Sequence, residues 1–517
     1  MTNADTLVIE EERYDRQKLL WGDAGQDRLK NARVSVIGLD FQGKYVALCL
    51  AALGVGNVVL IDGKNTIEEE ERGTFMGTPV SHGSRALAYA ELLRRVNPQI
   101  RVEGYPTDLV SRIDQDTLTG STVIVDATNM VTSKRNAILF GHEHHIPVLS
   151  TSSQWGYTKL VRCDSESHDL AYLMPMFEGN EQDELMALLM CGVTTEEVRK
   201  LIFNDKDILQ KPVRYRLGDG YRFGFPKEGE MAPRPDATKY ADLRVAFLGA
   251  GAIGCWGAIA AAKMGIDRVD VFDYDTFDST NINRQVLGFD GVGELKAVHI
   301  AKKIVEMSLG RTHSDGFNVK ILPGFETERE YDVVFDFVDN PYTRALNTAH
   351  AISHNIPMIS SGALPYSARS ITQVAGKTFC QDCLYQIYDR GRQDEMIRRA
   401  SCAANPDPSV VMSNAVAGAL AVLEIFTLVE PEKYGVPFSG EIMYRSSAPT
   451  RFGAEGLTGA CDCYSNPVPQ LEISDEDVAA FANAIPHVLT GGLVETERKE
   501  GRGLERGLEV LTVEQPE

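Results

Sequence analysis

The 517-residue chain has no lysine- or arginine-rich run. Acidic residues outnumber basic ones, 73 to 52, for a net charge of −21. Nucleic acids and anionic membranes reward positive patches, so neither is expected as a principal partner. No stretch of 18 apolar residues occurs, and no membrane span is expected. The start, Met1 to Glu12, is polar and acidic and lacks the basic-then-apolar order of a secretory signal. These absences point to a cytoplasmic protein with an acidic surface. In a reducing compartment its nine cysteines are expected as thiols, so clustered ones suggest metal or catalysis and not disulfides.

What the chain does have is a repeat. Gly38, Gly43, Gly54, Asp62 and Arg85 recur 211 positions later as Gly249, Gly254, Gly265, Asp273 and Lys296. Past one deletion, Asp126-Ala-Thr-Asn129 recurs as Asp336-Phe-Val-Asp339, and Ile146-Pro147 as Ile356-Pro357. The second copy reads Gly249-Ala-Gly251-Ala-Ile-Gly254. The first reads Gly38-Leu-Asp40-Phe-Gln-Gly43, with an aspartate in place of the middle glycine.

Short apolar runs end at turn or acidic residues. Arg33–Gly38, Asn57–Asp62, Thr122–Asp126 and Pro147–Ser150 read as buried parallel strands, with a helix at Tyr14–Leu29 before them and helices at Lys44–Leu53 and His82–Val96 between them. The alternation predicts an α/β chain of two Rossmann-like, doubly wound domains. The first domain is placed at 1–165. An insertion and linker follow at 166–235, with a capping-box helix start at Thr194 and a loop over Gly218–Pro235. The second domain is placed at 236–470 and includes a buried helix over Met412–Leu428. An acidic extension fills 471–517.

In a strand–turn–helix unit, the first glycine permits the tight turn and the second lets backbone N–H groups approach a phosphate. The third lets helix and strand pack closely. Asp273, 19 residues after Gly254, stands where a ribose hydroxyl would be bound. Alone, that pattern favours a dinucleotide. The next segment changes the reading. Asn281-Ile-Asn283-Arg284-Gln285, then Lys296, then Asp339-Asn340 supply two cations, carboxamides and a further carboxylate. Hydride transfer has no need of that set, whereas phosphoryl chemistry does: cations neutralise charge on a triphosphate and a carboxylate holds magnesium. The first copy has Glu70, Arg72 and Gly73 at the positions of Asn281, Asn283 and Arg284, and Asn129 at that of Asp339. Asp40 and Glu68 to Glu71 add negative charge, so the first copy is not expected to bind ATP.

Glu12-Arg-Tyr-Asp-Arg16-Gln17, Leu20-Trp-Gly22 and Leu29-Lys-Asn-Ala-Arg-Val34 resemble the opening of ubiquitin-activating enzymes and of ThiF/MoeB-type adenylyltransferases. The glycine loop, Asp273-Tyr-Asp275, Asn281–Gln285, Gly293-Glu-Leu-Lys296 and Val338-Asp339-Asn340 resemble that family's adenylation site in order and spacing. The resemblance implies that the C-terminal carboxylate of a small ubiquitin-like or sulfur-carrier protein is activated by MgATP. It implies that Gly249, Gly251, Gly254, Asp273 and Asp275 cradle the nucleotide. Asn281, Arg284, Gln285 and Lys296 would contact phosphates, and Asp339 would bind Mg²⁺. Arg16 matches an arginine that, in this family, reaches the partner unit's ATP site. The altered first half would then complete the active one, making a monomer sufficient, although a homodimer stays open.

Cys380-Gln-Asp-Cys383 and Cys461-Asp-Cys463 offer four thiolates in two close pairs, which fits tetrahedral Zn²⁺; the alternative is free or redox thiols. The family resemblance makes Cys402 a candidate nucleophile for a thioester or acyl disulfide, with Arg398 and Arg399 placed to favour thiolate. The alternative is a loop cysteine without covalent role. Three other readings of the whole chain stay in view: adenylation of a ribosomal peptide in natural-product biosynthesis, an NAD(P)-dependent oxidoreductase, and a non-catalytic scaffold. The acyl acceptor is not legible in the sequence.

Overall fold

Buried apolar runs bounded by turn residues form parallel strands, because a helix crossing back over the sheet covers both faces. The computed structural model describes residues 12–67, 71, 76–77, 83–163, 183–218, 222, 232–327, 329–400, 407–484 and 510–513. Glu68 to Glu70, Arg72, Gly73, Cys402 and most of the Gly218–Pro235 stretch lie outside them.

The first sheet contains β1 (Arg33–Ile37), β2 (Asn57–Ile61), β3 (Arg101–Tyr105), β4 (Val123–Asp126), β5 (Val148–Gln154), β6 (Tyr157–Cys163) and β7 (Val213–Arg216). Its order is β3-β2-β1-β4-β5-β6-β7, parallel as far as β5 and antiparallel beyond. The second contains β8 (Arg244–Leu248), β9 (Arg268–Phe272), β10 (Gly316–Phe317), β11 (Val333–Asp336), β12 (Met358–Leu364), β13 (Ser367–Gln373), β14 (Gly440–Arg445), β15 (Phe452–Leu457) and β16 (Val510–Val513). Its order is β10-β9-β8-β11-β12-β13-β14-β15-β16, again parallel first. The sequence repeat is therefore a structural one. Arg33 faces Asn57 in the first sheet, and their counterparts Arg244 and Arg268 face each other in the second.

The longer helices are α1 (Asp15–Asn31), α2 (Phe41–Leu53), α3 (Arg85–Val96), α4 (Val131–His144), α5 (Glu184–Phe203), α6 (Ala252–Ala261), α7 (Lys296–Met307), α8 (Pro341–Ser353), α9 (Ile387–Ala400), α10 (Val411–Leu423) and α11 (Asp475–Ala484). The helix expected to start at Thr194 in fact starts ten residues earlier. Asp183 caps α5 by accepting from Leu185 N at 2.9 Å and Met186 N at 3.3 Å, and Thr194 lies buried in mid-helix. The apolar run before Thr194 satisfies helix periodicity as well as the run after it, so the capping signature alone misplaced the start.

Buried residues of both halves form one continuous core. Two buried helices make the join. At Gly192 of α5, a Cβ would stand 2.4 Å from the Met412 carbonyl oxygen of α10. At Gly418 of α10, it would meet the Trp256 side chain of α6 at 2.6 Å. Small residues let the backbones approach at both crossings. The segment Val411–Val429 is long and apolar enough to cross a membrane by length and composition, but 94% of its apolar window is buried inside the protein. It is a core helix, a possibility that apolar length alone does not distinguish.

A second repeated feature lies at the end of an interior strand in each sheet. Asp126 is fully buried, binds Lys134 and accepts from Ser150 Oγ at 2.6 Å. In the second half, Asp336 accepts from Arg344 at 3.2 Å and Ser360 Oγ at 2.6 Å. Each trio joins a strand end, the following helix and the next strand.

Candidate nucleotide site

The second glycine loop joins β8 to α6. Gly249 takes φ +106, in the left-handed region, and a Cβ on Gly254 would stand 2.5 Å from the Gly249 carbonyl oxygen. Gly251, at the helix N-cap, faces open space: a Cβ there would meet nothing within 4 Å. A helix N-terminus opening on empty space favours an anion. Asp273, at the end of β9, braces the loop. Its carboxylate accepts from Ala250 N at 2.7 Å and Asp275 N at 2.8 Å, and burial raises its pKa above the usual carboxylate range.

Around this turn the structure gathers most of the residues singled out in the sequence. Lys296, first residue of α7, reaches Asp275 at 3.2 Å. Asn281 accepts from Asp278 N at 3.2 Å and closes a capping box. Arg284 is 8% exposed and donates to Thr280 O at 2.7 Å and Asn283 Oδ1 at 3.0 Å. Burial, with Arg16 nearby, lowers the Arg284 pKa to about 10, while Asp339 opposes the change. Arg16 from the first half and Asp339 from the second thus both act on Arg284 electrostatically. Asp339 is exposed, and Asn340 beside it caps α8 by accepting from Thr343 N at 2.7 Å. Gln285 is buried, and its Oε1 has no hydrogen-bond partner among the described residues.

Contacts of the N-terminal arm with this segment were not legible in the sequence. Glu12 accepts from Ser279 Oγ at 2.7 Å, and Asn283 Nδ2 donates to Gln17 Oε1 at 3.1 Å. Arg16 donates to Asp407 O at 3.2 Å. The opening motif carried a signal only through its family resemblance, because no local periodicity relates residue 17 to residue 283.

The first copy shows the same frame with a carboxylate at the position of Gly251. Asp62 accepts from Leu39 N at 2.8 Å and Lys64 N at 2.9 Å, the counterpart of Asp273, and burial raises its pKa too. Asp40 holds φ −60 and ψ −155, close to the φ −75 and ψ −153 of Gly251. The substitution therefore costs no backbone strain, but it places a carboxylate where Gly251 leaves room. Arg85, the counterpart of Lys296, pairs with Asp40, with Glu71 at 2.8 Å and with Asp62 at 3.2 Å. A cavity of about 420 Å³ persists here, lined in part by Asp40, Asp62 and Arg85. Its arginine already holds three internal anions.

The sequence pattern of the ThiF family matches residues 14–195 and 229–453. The chain belongs to the ThiF family. The adenylyltransferase and sulfurtransferase MOCS3 of Xenopus laevis is 24% identical to this ThiF-family chain over 252 residues, 48% of this chain and 54% of that protein. The Emericella nidulans adenylyltransferase and sulfurtransferase uba4 is 32% identical over 130 residues, 24% of this chain and 27% of that one. The Danio rerio SUMO-activating enzyme subunit 1 is 37% identical over 114 residues, 21% and 32% of the two chains. The chain spans about half or less of the length of these curated relatives. A crystal structure of E. coli MccB with AMPCPP and MccA aligns at 22% identity and a TM-score of 0.36, covering 44% of this chain and 67% of that one.

The four paired cysteines also converge. The Sγ atoms of Cys380, Cys383, Cys461 and Cys463 all lie within 4.8 Å of one another, with Cys383 and Cys463 at 3.4 Å. Thiolates 2.3 Å from a tetrahedral zinc stand about 3.8 Å apart, so the set suits such an ion despite the Cys-x-Cys spacing. Arg398 and Arg399, expected beside Cys402, both bind Glu395, at 2.6 and 2.8 Å.

Proposed function

We propose that the chain is an ATP-dependent adenylyltransferase acting on the C-terminal carboxylate of a small ubiquitin-like or sulfur-carrier protein ending in glycine. The observation that carries this reading is the second glycine turn, open at Gly251, with Arg284, Lys296 and the first half's Arg16 gathered around it. Relatives named adenylyltransferases and activating enzymes support it over the parts they match.

In the reaction, a carboxylate oxygen attacks the α-phosphorus of ATP. The bond from that phosphorus to the bridging oxygen breaks, and pyrophosphate leaves with the electron pair. Negative charge grows on the phosphate oxygens, where Arg16, Arg284 and Lys296 supply fixed positive charge in a partly buried site. Asp273 would accept from ribose hydroxyls, and Asn281 and Gln285 would donate to phosphates. Asp339 would hold Mg²⁺, which neutralises triphosphate charge when bound.

The first half would not bind ATP, because Asp40 and Glu71 already neutralise Arg85. It would serve as the fused partner that delivers Arg16, so one chain suffices. The four cysteines would hold structural zinc, clamping the 461–463 segment to the strands beside it. The Cys402 thiolate would attack the acyl adenylate, forming a thioester and releasing AMP. An acyl disulfide would form instead only if Cys402 first carried an extra sulfur as a persulfide, whose outer sulfur then bonds the acyl carbon as AMP leaves. It is five residues from Asp407, whose carbonyl binds Arg16, a span of at most about 18 Å of extended chain. The free thiols suit a cytoplasmic setting.

The test is ATP–pyrophosphate exchange with small Gly-Gly-ended proteins added one at a time. Exchange is expected to depend on one of them, and Asp339→Ala should reduce it on the order of a hundredfold or more. Arg16→Ala should impair it from the other half. Wild-type exchange in Asp339→Ala would remove the site assignment.

A further inference from the structure

The C-terminal end of α8 carries a side-chain cluster that adenylation does not use. His350 and His354 stand four residues apart, so they share one face of the helix end. Their ring centroids are 4.3 Å apart. Glu326, from the segment between β10 and β11, reaches both: its Oε2 lies 2.9 Å from His354 Nε2 and 3.9 Å from His350 Nδ1. One ligand atom from each of the three lies within 4.8 Å of the other two. Nitrogen and oxygen ligands bound 2.0–2.2 Å from a tetrahedral ion stand about 3.4 Å apart, and the two measured separations bracket that value.

Two further observations point to a ligand. His350 is 7% exposed, and neither of its ring nitrogens makes a well-aligned hydrogen bond among the described residues; its nearest polar neighbours are the Phe325 backbone and the Glu326 carboxylate. Buried polar atoms are seldom left that way. His354 Nδ1 lies 2.9 Å from the His350 carbonyl oxygen, which can only accept, so Nδ1 carries a hydrogen. The other ring nitrogen, Nε2, faces the Glu326 carboxylate at 2.9 Å and is the atom placed to act as a ligand beside it. A backbone carbonyl fixing the tautomer in this way is the usual support for a metal-binding histidine. A cation shared by the three groups satisfies all of them at once.

We propose that Glu326, His350 and His354 bind a divalent transition-metal ion, with zinc the best fit to two imidazoles and a carboxylate. At about 1.5 Å rise per residue, the α8 end lies some 15–20 Å from Asn340, so this ion sits apart from the nucleotide. It would pin the Glu326 segment to α8. Three protein ligands leave one position open to water, unlike a four-cysteine site.

The full-length protein is freed of loosely held metal with a mild chelator and titrated with zinc sulfate. Bound zinc per chain is then measured by elemental analysis after gel filtration. Glu326→Gln and His354→Ala change exposed or half-exposed groups and spare the core. Each is expected to bind one equivalent less than wild type, or the last equivalent at least about tenfold more weakly. Cobalt substitution should leave the thiolate charge-transfer band of the cysteine cluster unchanged in both variants. Equal zinc stoichiometry and affinity in wild type and both variants would overturn the proposal. So would a wild type that takes up no zinc beyond the cysteine cluster.

Discussion

One residue separates the two glycine turns most sharply. Asp40 and Gly251 share a backbone conformation, yet one puts a carboxylate in the cradle and the other leaves it open. The supporting aspartates are equivalent in geometry, so their loss should show which turn binds nucleotide. Asp273→Asn is expected to weaken ATP binding about tenfold, near 1.4 kcal/mol, while Asp62→Asn leaves it unchanged; calorimetric titration distinguishes the two. A different aspartate should set a pH dependence. Burial raises the Asp183 pKa to about 6, against the three backbone N–H groups it accepts from. A raised acid contributes stability that is present below its unfolded value, near 4, and lost as pH rises through 6. Its neighbour Glu184 runs the other way. Burial would raise it, but Lys44 and Lys263 lower it to about 2, so its contribution is lost only in stronger acid. Asp183→Asn keeps an acceptor for the helix cap. Between pH 4 and 6 it should lose less stability than wild type, by up to about 3 kcal/mol, in urea melts across that range.

At the scale of elements, the strand–helix–strand trios around Asp126 and Asp336 explain why both halves kept the frame after one lost its site. Each buried carboxylate is held by a cation from the next helix and a serine from the next strand. The pairing was visible in the sequence only as a recurring aspartate, since Lys134 and Arg344 differ in chemistry and lie a helix turn or more away. Arg344→Met removes the cation and leaves Asp336 charged and buried. Guanidinium denaturation should register a loss of about 3–5 kcal/mol. Recovery of most of that loss by Asp336→Asn in the same background would confirm that the uncompensated charge is the cause.

Across the whole molecule, the two halves share one continuous apolar core. Helix α5 follows the first repeat in sequence, yet it packs on α10 of the second half at Gly192. Polar contacts follow the same route: Arg451 binds Glu197 at 2.8 Å, and Ser446 donates to Glu196 at 2.7 Å. A chain ending after residue 218 would expose the apolar side of α5. It is expected to show no cooperative unfolding transition in circular dichroism melts, whereas the full chain unfolds in one main transition. Independent cooperative folding of that piece would contradict the shared core.

The sequence by itself determined the repeat, the parallel strands, the glycine turn and the decay at Asp40. These depend on local backbone demands: a left-handed φ, room for a phosphate, an apolar run between turns. It also marked the four cysteines, because thiols in close pairs carry their spacing with them. Only the tertiary structure decided that Gln17 meets Asn283, that Arg16 lies near Arg284, that Asp183 caps α5 and α5 crosses to α10, and that Glu326 joins His350 and His354. The inter-half contacts link residues hundreds of positions apart, and the chain between them has no period that could announce the meeting. Packing of the shared apolar core brings the halves together, and the polar contacts between them follow from where that packing puts the backbone.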